Sequence, residues 1–116
     1  GVDELWGGAG NDFLAGGDGD DGLFGGDGAD RLEGDQHNDA LYGGAGHDVL
    51  DGGDGADQLN GDADNDTMYG GAGADILWGG VGADILHANP GTEPDGAADR
   101  LLGGIGSDTY PGASPA

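Results

Sequence analysis

Aspartate recurs every nine residues, at positions 3, 12, 21, 30, 39, 48, 57, 66, 75 and 84, ten times without a slip. Two residues after each stands an apolar side chain: Leu5, Leu14, Leu23, Leu32, Leu41, Leu50, Leu59, Met68, Leu77 and Leu86. A glycine pair then opens the next unit, as at Gly7-Gly8, Gly16-Gly17, Gly25-Gly26 and Gly43-Gly44, so the unit reads Gly-Gly-x-Gly-x-Asp-x-Leu-x. A register held over ten units has no place in low-complexity disorder. A period of nine with little proline also excludes collagen. The chain is a repeat array.

The unit divides into six turn-forming residues, Gly-Gly-x-Gly-x-Asp, and three, x-Leu-x, that suffice only for a short strand with its middle side chain on one face. One unit is therefore half a coil, and two units, 18 residues, complete it. Stacking coils at the strand spacing of about 4.8 Å predicts an all-β parallel roll: two sheets, one from alternate units each, with leucines meeting between them. One leucine per unit makes a thin core. Burying it is worth roughly 2 kcal/mol, less than the entropy of ordering nine residues, so another interaction must close the balance.

Charge points to that interaction. The 116 residues hold 24 acids against two arginines, Arg31 and Arg100, with no lysine, for a net charge of −22. Such a chain offers no cationic face to nucleic acid and is repelled by anionic lipid, and it has no 18-residue apolar run to span a bilayer. Lacking cysteine and lysine, it also lacks disulfides, thiolate metal sites, Walker-type phosphate chemistry and Schiff-base chemistry. In the stacked roll the repeat aspartates form columns, and carboxylates at the strand spacing repel unless cations sit between them. Aspartate oxygens plus carbonyls of Gly-rich turns make an all-oxygen site of about six ligands, which suits Ca2+. Mg2+ keeps its water shell, and Zn2+ wants His or Cys.

The nonapeptide Gly-Gly-x-Gly-x-Asp-x-Leu-x resembles that of RTX proteins, the Ca2+-binding parallel β-roll of exported bacterial proteins. The resemblance runs through residues 1–87 and resumes at 99–110. It implies that two stacked turns share each ion through the repeat aspartate and turn carbonyls. The side-chain ligands so implied are Asp12, Asp21, Asp30, Asp39, Asp48, Asp57, Asp66, Asp75 and Asp84. The implied carbonyl ligands are Gly8, Gly10, Gly17, Gly19, Gly26, Gly28, Gly44, Gly46, Gly53, Gly55, Gly71, Gly73, Gly80 and Gly82. Nine complete turns, five on one side and four on the other, give seven internal gaps, with Asp3, Asp99 and Asp108 placed for end sites. The resemblance further implies folding on Ca2+ binding, type I export of a longer parent, and an extracellular or cell-surface location. The parent's activity is not readable from its repeats.

Two turns depart from the pattern: Gly34-Asp35-Gln36-His37-Asn38-Asp39 and Gly61-Asp62-Ala63-Asp64-Asn65-Asp66 each lose their second and fourth glycine. Any residue supplies a carbonyl, and Asp tolerates left-handed backbone, so sites there are expected to survive. Asp62, Asp64 and Asp66 imitate the start of an EF-hand loop, but Thr67 and Gly73 stand where its Gly and Glu belong. Asn65-Asp66-Thr67 is a sequon that the repeat generates by itself. His37, His47 and His87 share no spacing and read as solvated residues, and no nucleophile–histidine–acid set is suggested, so the chain reads as no enzyme.

The last residue of each unit should face outward. Alternate units there read Trp6, Phe24, Tyr42, Asn60, Trp78, an aromatic column broken once, and the others read Ala15, Glu33, Asp51, Tyr69, His87. The column suits a platform for sugar rings or self-association, while the plainer reading is that aromatics favour strands. Residues 88–98 carry Pro90 and Pro94 and add six residues to one period, which reads as an extruded loop; 111–116 reads as a frayed tail. The start falls mid-unit without a signal peptide, which is expected of a fragment of a longer protein.

Overall fold

A computed structural model describes residues 2–87 and 100–109. The expectations for 88–98, Asp99, Tyr110 and 111–116 lie outside the described residues. Eleven strands alternate along the chain: β1 (Glu4–Ala9), β2 (Phe13–Ala15), β3 (Gly22–Asp27), β4 (Arg31–Glu33), β5 (Ala40–Ala45), β6 (Val49–Asp51), β7 (Gln58–Asp62), β8 (Thr67–Tyr69), β9 (Ile76–Val81), β10 (Ile85–His87) and β11 (Arg100–Ile105). Odd strands form one parallel sheet in the order β1-β3-β5-β7-β9-β11 and even strands the other, β10-β8-β6-β4-β2. The fold is the all-β parallel solenoid predicted from the period. From β1 to β10 the strands pair at a spacing of 18 residues, as in Leu5↔Leu23 and Leu14↔Leu32.

The apolar slot makes the core. Leu23, Leu32, Leu41, Leu50, Leu59, Met68, Leu77 and Leu86 are fully buried, Leu14 nearly so, and Leu5 and Leu101 pack at the ends. Because side chains alternate along a strand, placing leucine inward commits its two neighbours to the outer face. That alternation produces the outward row Trp6↔Phe24↔Tyr42↔Asn60↔Trp78↔Leu102.

The sheets differ where uniform three-residue strands were expected. In the odd sheet pairing continues through the glycine pair into the turn, as in Gly8↔Gly26 and Ala9↔Asp27, giving mostly six-residue strands. In the even sheet pairing lapses at the glycine pair and resumes as single bridges, Asp18↔Gln36, Gln36↔Asp54 and Asp54↔Ala72. β11 joins β9 at a spacing of 24, Arg100↔Ile76 and Leu101↔Leu77, so the six added residues cost the array no register.

Candidate metal centre

The repeat aspartate closes each turn, and its side chain reaches along the stack to the turn before. Asp21 Oδ1 accepts from Asp3 N at 2.8 Å, Asp39 Oδ1 from Asp21 N at 2.7 Å, and Asp57 Oδ1 from Asp39 N at 2.7 Å. On the opposite side Asp30, Asp48, Asp66 and Asp84 accept in the same way from Asp12, Asp30, Asp48 and Asp66. Asp75 Oδ1 takes the same seat on Asp57 N at 2.9 Å. Two aspartate columns thus run the length of the roll, and their members from Asp21 to Asp84 are buried.

The second oxygen is the telling one. Oδ2 of Asp12, Asp21, Asp30, Asp39, Asp48, Asp57, Asp66 and Asp84 is buried and accepts no hydrogen bond. Burying a carboxylate oxygen unpaired costs several kcal/mol unless a proton or a cation compensates it. Burial, reinforced by the neighbouring carboxylates, accordingly pushes the carboxyls of Asp39 and Asp48 up to about 6, Asp57 to about 7 and Asp66 to about 8. Asp84 is raised too, by burial first and then by Asp108. Backbone donors pull each of them the other way without prevailing.

The first glycine of each turn makes room for that oxygen. A methyl group on Gly7 would meet Asp12 Oδ2 at 2.7 Å and the carbonyl of Gly25 at 2.6 Å; on Gly16 it would meet Asp21 Oδ2 at 2.8 Å and Gly34 O at 3.0 Å. The free carboxylate oxygen and a carbonyl of the next turn therefore converge on one bare glycine face. The sequence points to carbonyls of the second and fourth turn residues; the carbonyl of the first turn residue also lies against this face, as Gly25 O does beside Gly7. A signal for it was present, since the first glycine survives in both divergent turns, as Gly34 and Gly61.

All fourteen predicted carbonyl residues have positive φ, between 85° and 131°. Several of their carbonyls point along the stack: Gly8 O lies beneath Gly26 and Gly10 O beneath Gly28. Gly17 O and Gly53 O also accept from Gln36 N and Ala72 N, at 3.2 and 3.0 Å, leaving each a second lone pair.

In the divergent turns Asp35, His37, Asp62 and Asp64 hold φ of 71° to 83°, close to the left-handed minimum. Their side chains make up for the missing glycine. Asp35 Oδ2 accepts from Gly17 N, His37 Nδ1 from Gly19 N, Asp62 Oδ2 from Gly44 N and Asp64 Oδ2 from Gly46 N. His37, hydrogen-bonded to the preceding turn of its column, stays exposed, as expected of a solvated turn residue. His47 is likewise exposed, with its Nδ1 3.2 Å from Asn65 N, whereas His87 is half-buried and stacks on Tyr69 with ring centroids 4.6 Å apart.

The donor set fits a hard cation. Among the described residues no three His, Cys, Asp or Glu side chains gather at one point, so a cation there would need backbone oxygens beside the carboxylates. Asp108 behaves as a repeat aspartate, accepting from Asp84 N at 3.0 Å, which stacks the turn beginning at Gly103 on the one beginning at Gly79. The described residues then hold six stacked turns on one side and four on the other.

A parallel solenoid of 18-residue coils, lined along both sides by columns of buried aspartates between Gly-rich turns, defines a calcium-type β-roll. The family model of the RTX calcium-binding nonapeptide repeat (4 copies) matches residues 1–32, 33–68 and 60–92. The chain belongs to that family, whose repeat is a calcium-binding structural unit and not a catalytic one. No curated protein matches the chain. No helix of the described residues is long and apolar enough to cross a membrane.

Proposed function

We propose that this chain is a module whose folding is driven by Ca2+ and that it serves a longer, exported protein. The observation that carries the reading is the pair of aspartate columns with buried, uncompensated Oδ2 atoms. Ion by ion, the carboxylate of one turn, that of the next, and the carbonyls of the first, second and fourth turn residues would hold the cation. Ca2+ supplies the positive charge that lets the columns stack. Five gaps on one side and three on the other accommodate eight ions, one more than the seven internal gaps expected from the repeat count, because the turn ending at Asp108 stacks in register. Eight divalent ions leave −6 of the formal −22, an ordinary charge for a soluble module.

A chain that is unfolded at low Ca2+ and folded at the ~10⁻⁴–10⁻³ M of extracellular modules suits passage through a secretion channel, which supports type I export and a place outside the cell. The test is far-UV circular dichroism of EDTA-stripped protein during titration with Ca2+ and, separately, Mg2+. A cooperative coil-to-β transition for Ca2+ alone is expected; a full β signal in excess chelator at pH 8 overturns the reading. The outward aromatic column of Trp6, Phe24, Tyr42 and Trp78 supports a second role on the same scaffold, contact with sugars or another copy, because its first three rings form an ordered stack.

A further inference from the structure

The aromatic row on the odd sheet is a stack with one rung missing. Trp6 and Phe24 stack with centroids 4.1 Å apart and planes 13° apart, and Phe24 and Tyr42 follow at 5.0 Å and 3°. The next position is Asn60, and the ring after it is Trp78. Tyr42 and Trp78 stand two strands apart, about 9.6 Å at the ordinary strand spacing. A ring placed midway sits about 4.8 Å from each, within the range in which rings stack.

A groove of about 480 Å³ lies there, walled by Tyr42, Trp78 and Leu102 and including Gln58, Asn60 and the backbone of Gly80. Asn60 Oδ1 accepts from Asp62 N at 3.1 Å, which leaves its Nδ2 protons for a ligand. Gln58 adds a second amide on the same strand. Among the described residues no charged side chain lines the groove, although the chain carries 24 acids. The surrounding negative field disfavours uronates, nucleotides and other anions, and the lining holds no carboxylate to pair with a cation.

We propose that this groove is a binding subsite for one neutral pyranose ring, which completes the aromatic stack. Its two faces of C–H bonds lie against Tyr42 and Trp78, and its hydroxyl edge meets the amides of Asn60 and Gln58. The subsite presupposes the folded roll, and so rests on the calcium reading through folding alone. Leu102 stands beyond Trp78 in the same outward row.

The test is fluorescence titration in Ca2+ of Trp6→Phe protein, where Trp78 is the only tryptophan and the stack is kept. The probes are neutral gluco-, manno- and galacto-hexasaccharides, with hexagalacturonate and benzyltrimethylammonium as anionic and cationic comparisons. Saturable change with a neutral hexasaccharide and with neither comparison is expected. Adding Asn60→Tyr fills the missing rung with a residue that suits a strand; it should weaken binding about tenfold or more, the worth of one stacked ring. The Ca2+-induced dichroism should not change.

Absence of saturation with every neutral probe overturns the proposal. So does undiminished binding by Asn60→Tyr, or an equal response to benzyltrimethylammonium, which would make the groove a cation site. Dichroism of the same samples in EDTA separates the two readings, because a roll that stays folded without Ca2+ defeats the calcium reading and leaves the sugar titration decisive.

Discussion

Asp66 Oδ1 accepts a hydrogen bond from the backbone N of Asp48 at 2.8 Å, while Asp66 Oδ2, on the same carboxyl group, is buried with no partner. One side chain therefore both welds two coils together and holds a charge that the fold alone does not neutralise. Repeated down two columns, this relationship makes the roll conditional on its cations or protons.

Protons should substitute for the metal. The carboxyls of Asp39, Asp48, Asp57 and Asp66 lie between about 6 and 8 in the metal-free roll, above their ordinary value of 3.8. Raised carboxyls favour the fold fully below the unfolded value and lose that contribution as pH rises through the folded ones. In EDTA the β signal should be strongest near pH 4 and decline between pH 6 and 8. At pH 7, Ca2+ binding should release protons, which calorimetry in buffers of different ionisation enthalpy would register.

Asp66→Asn keeps an Oδ1 acceptor for Asp48 N and removes the buried charge. The metal-free roll should gain stability by at least ~1 kcal/mol, since the cost of a buried uncompensated carboxylate goes. Ca2+ stoichiometry should fall by one or two ions. Dichroism in EDTA between pH 6 and 8 and isothermal titration with Ca2+ read the two effects, which have opposite signs.

Glycine substitutions should rank by place in the stack as well as in the turn. Gly8→Ala meets open space and bears only the strain of φ +88°, about 1–2 kcal/mol. Gly26→Ala, at φ +94°, also drives its methyl into the carbonyl of Gly8, adding the roughly 1–3 kcal/mol of overpacking. Gly25→Ala strikes Asp30 Oδ2 and Gly43 O, each at 2.6 Å, and should lower Ca2+ affinity as well as stability. Urea midpoints in Ca2+ for the three variants check the order.

Leu50→Ala should cost about 2–5 kcal/mol, because Leu50 is fully buried mid-stack. Met68→Leu restores the prevailing residue of the slot and should change stability by less than about 1.5 kcal/mol. Thermal melts at saturating Ca2+ distinguish them.

Much of the candidate site could be read from spacing, because a solenoid turns sequence period directly into spatial register. Asp48 over Asp66 and Leu50 over Met68 follow once 18 residues make a coil. The divergent turns resisted such reading. Asp62 and Asp64 look like losses of glycine, yet they hold left-handed backbone and bond to Gly44 N and Gly46 N in the preceding turn of their column. The period alone does not show that a side chain takes over what glycine did.

By itself the sequence determined the coil length, the inward leucines, the two aspartate columns and the outward row of rings, since each follows from a nine-residue period and from side-chain alternation along strands. Tertiary structure alone decided which oxygen of each aspartate is bonded and which is left buried. It alone set the unequal strands of the two sheets, brought the first glycine's carbonyl to the free oxygen, and seated Leu102 beyond Trp78 across an insertion. The physical reason is that a period specifies which residues lie above one another, whereas hydrogen-bond partners and empty rungs depend on how atoms only a few ångströms apart share the space between coils.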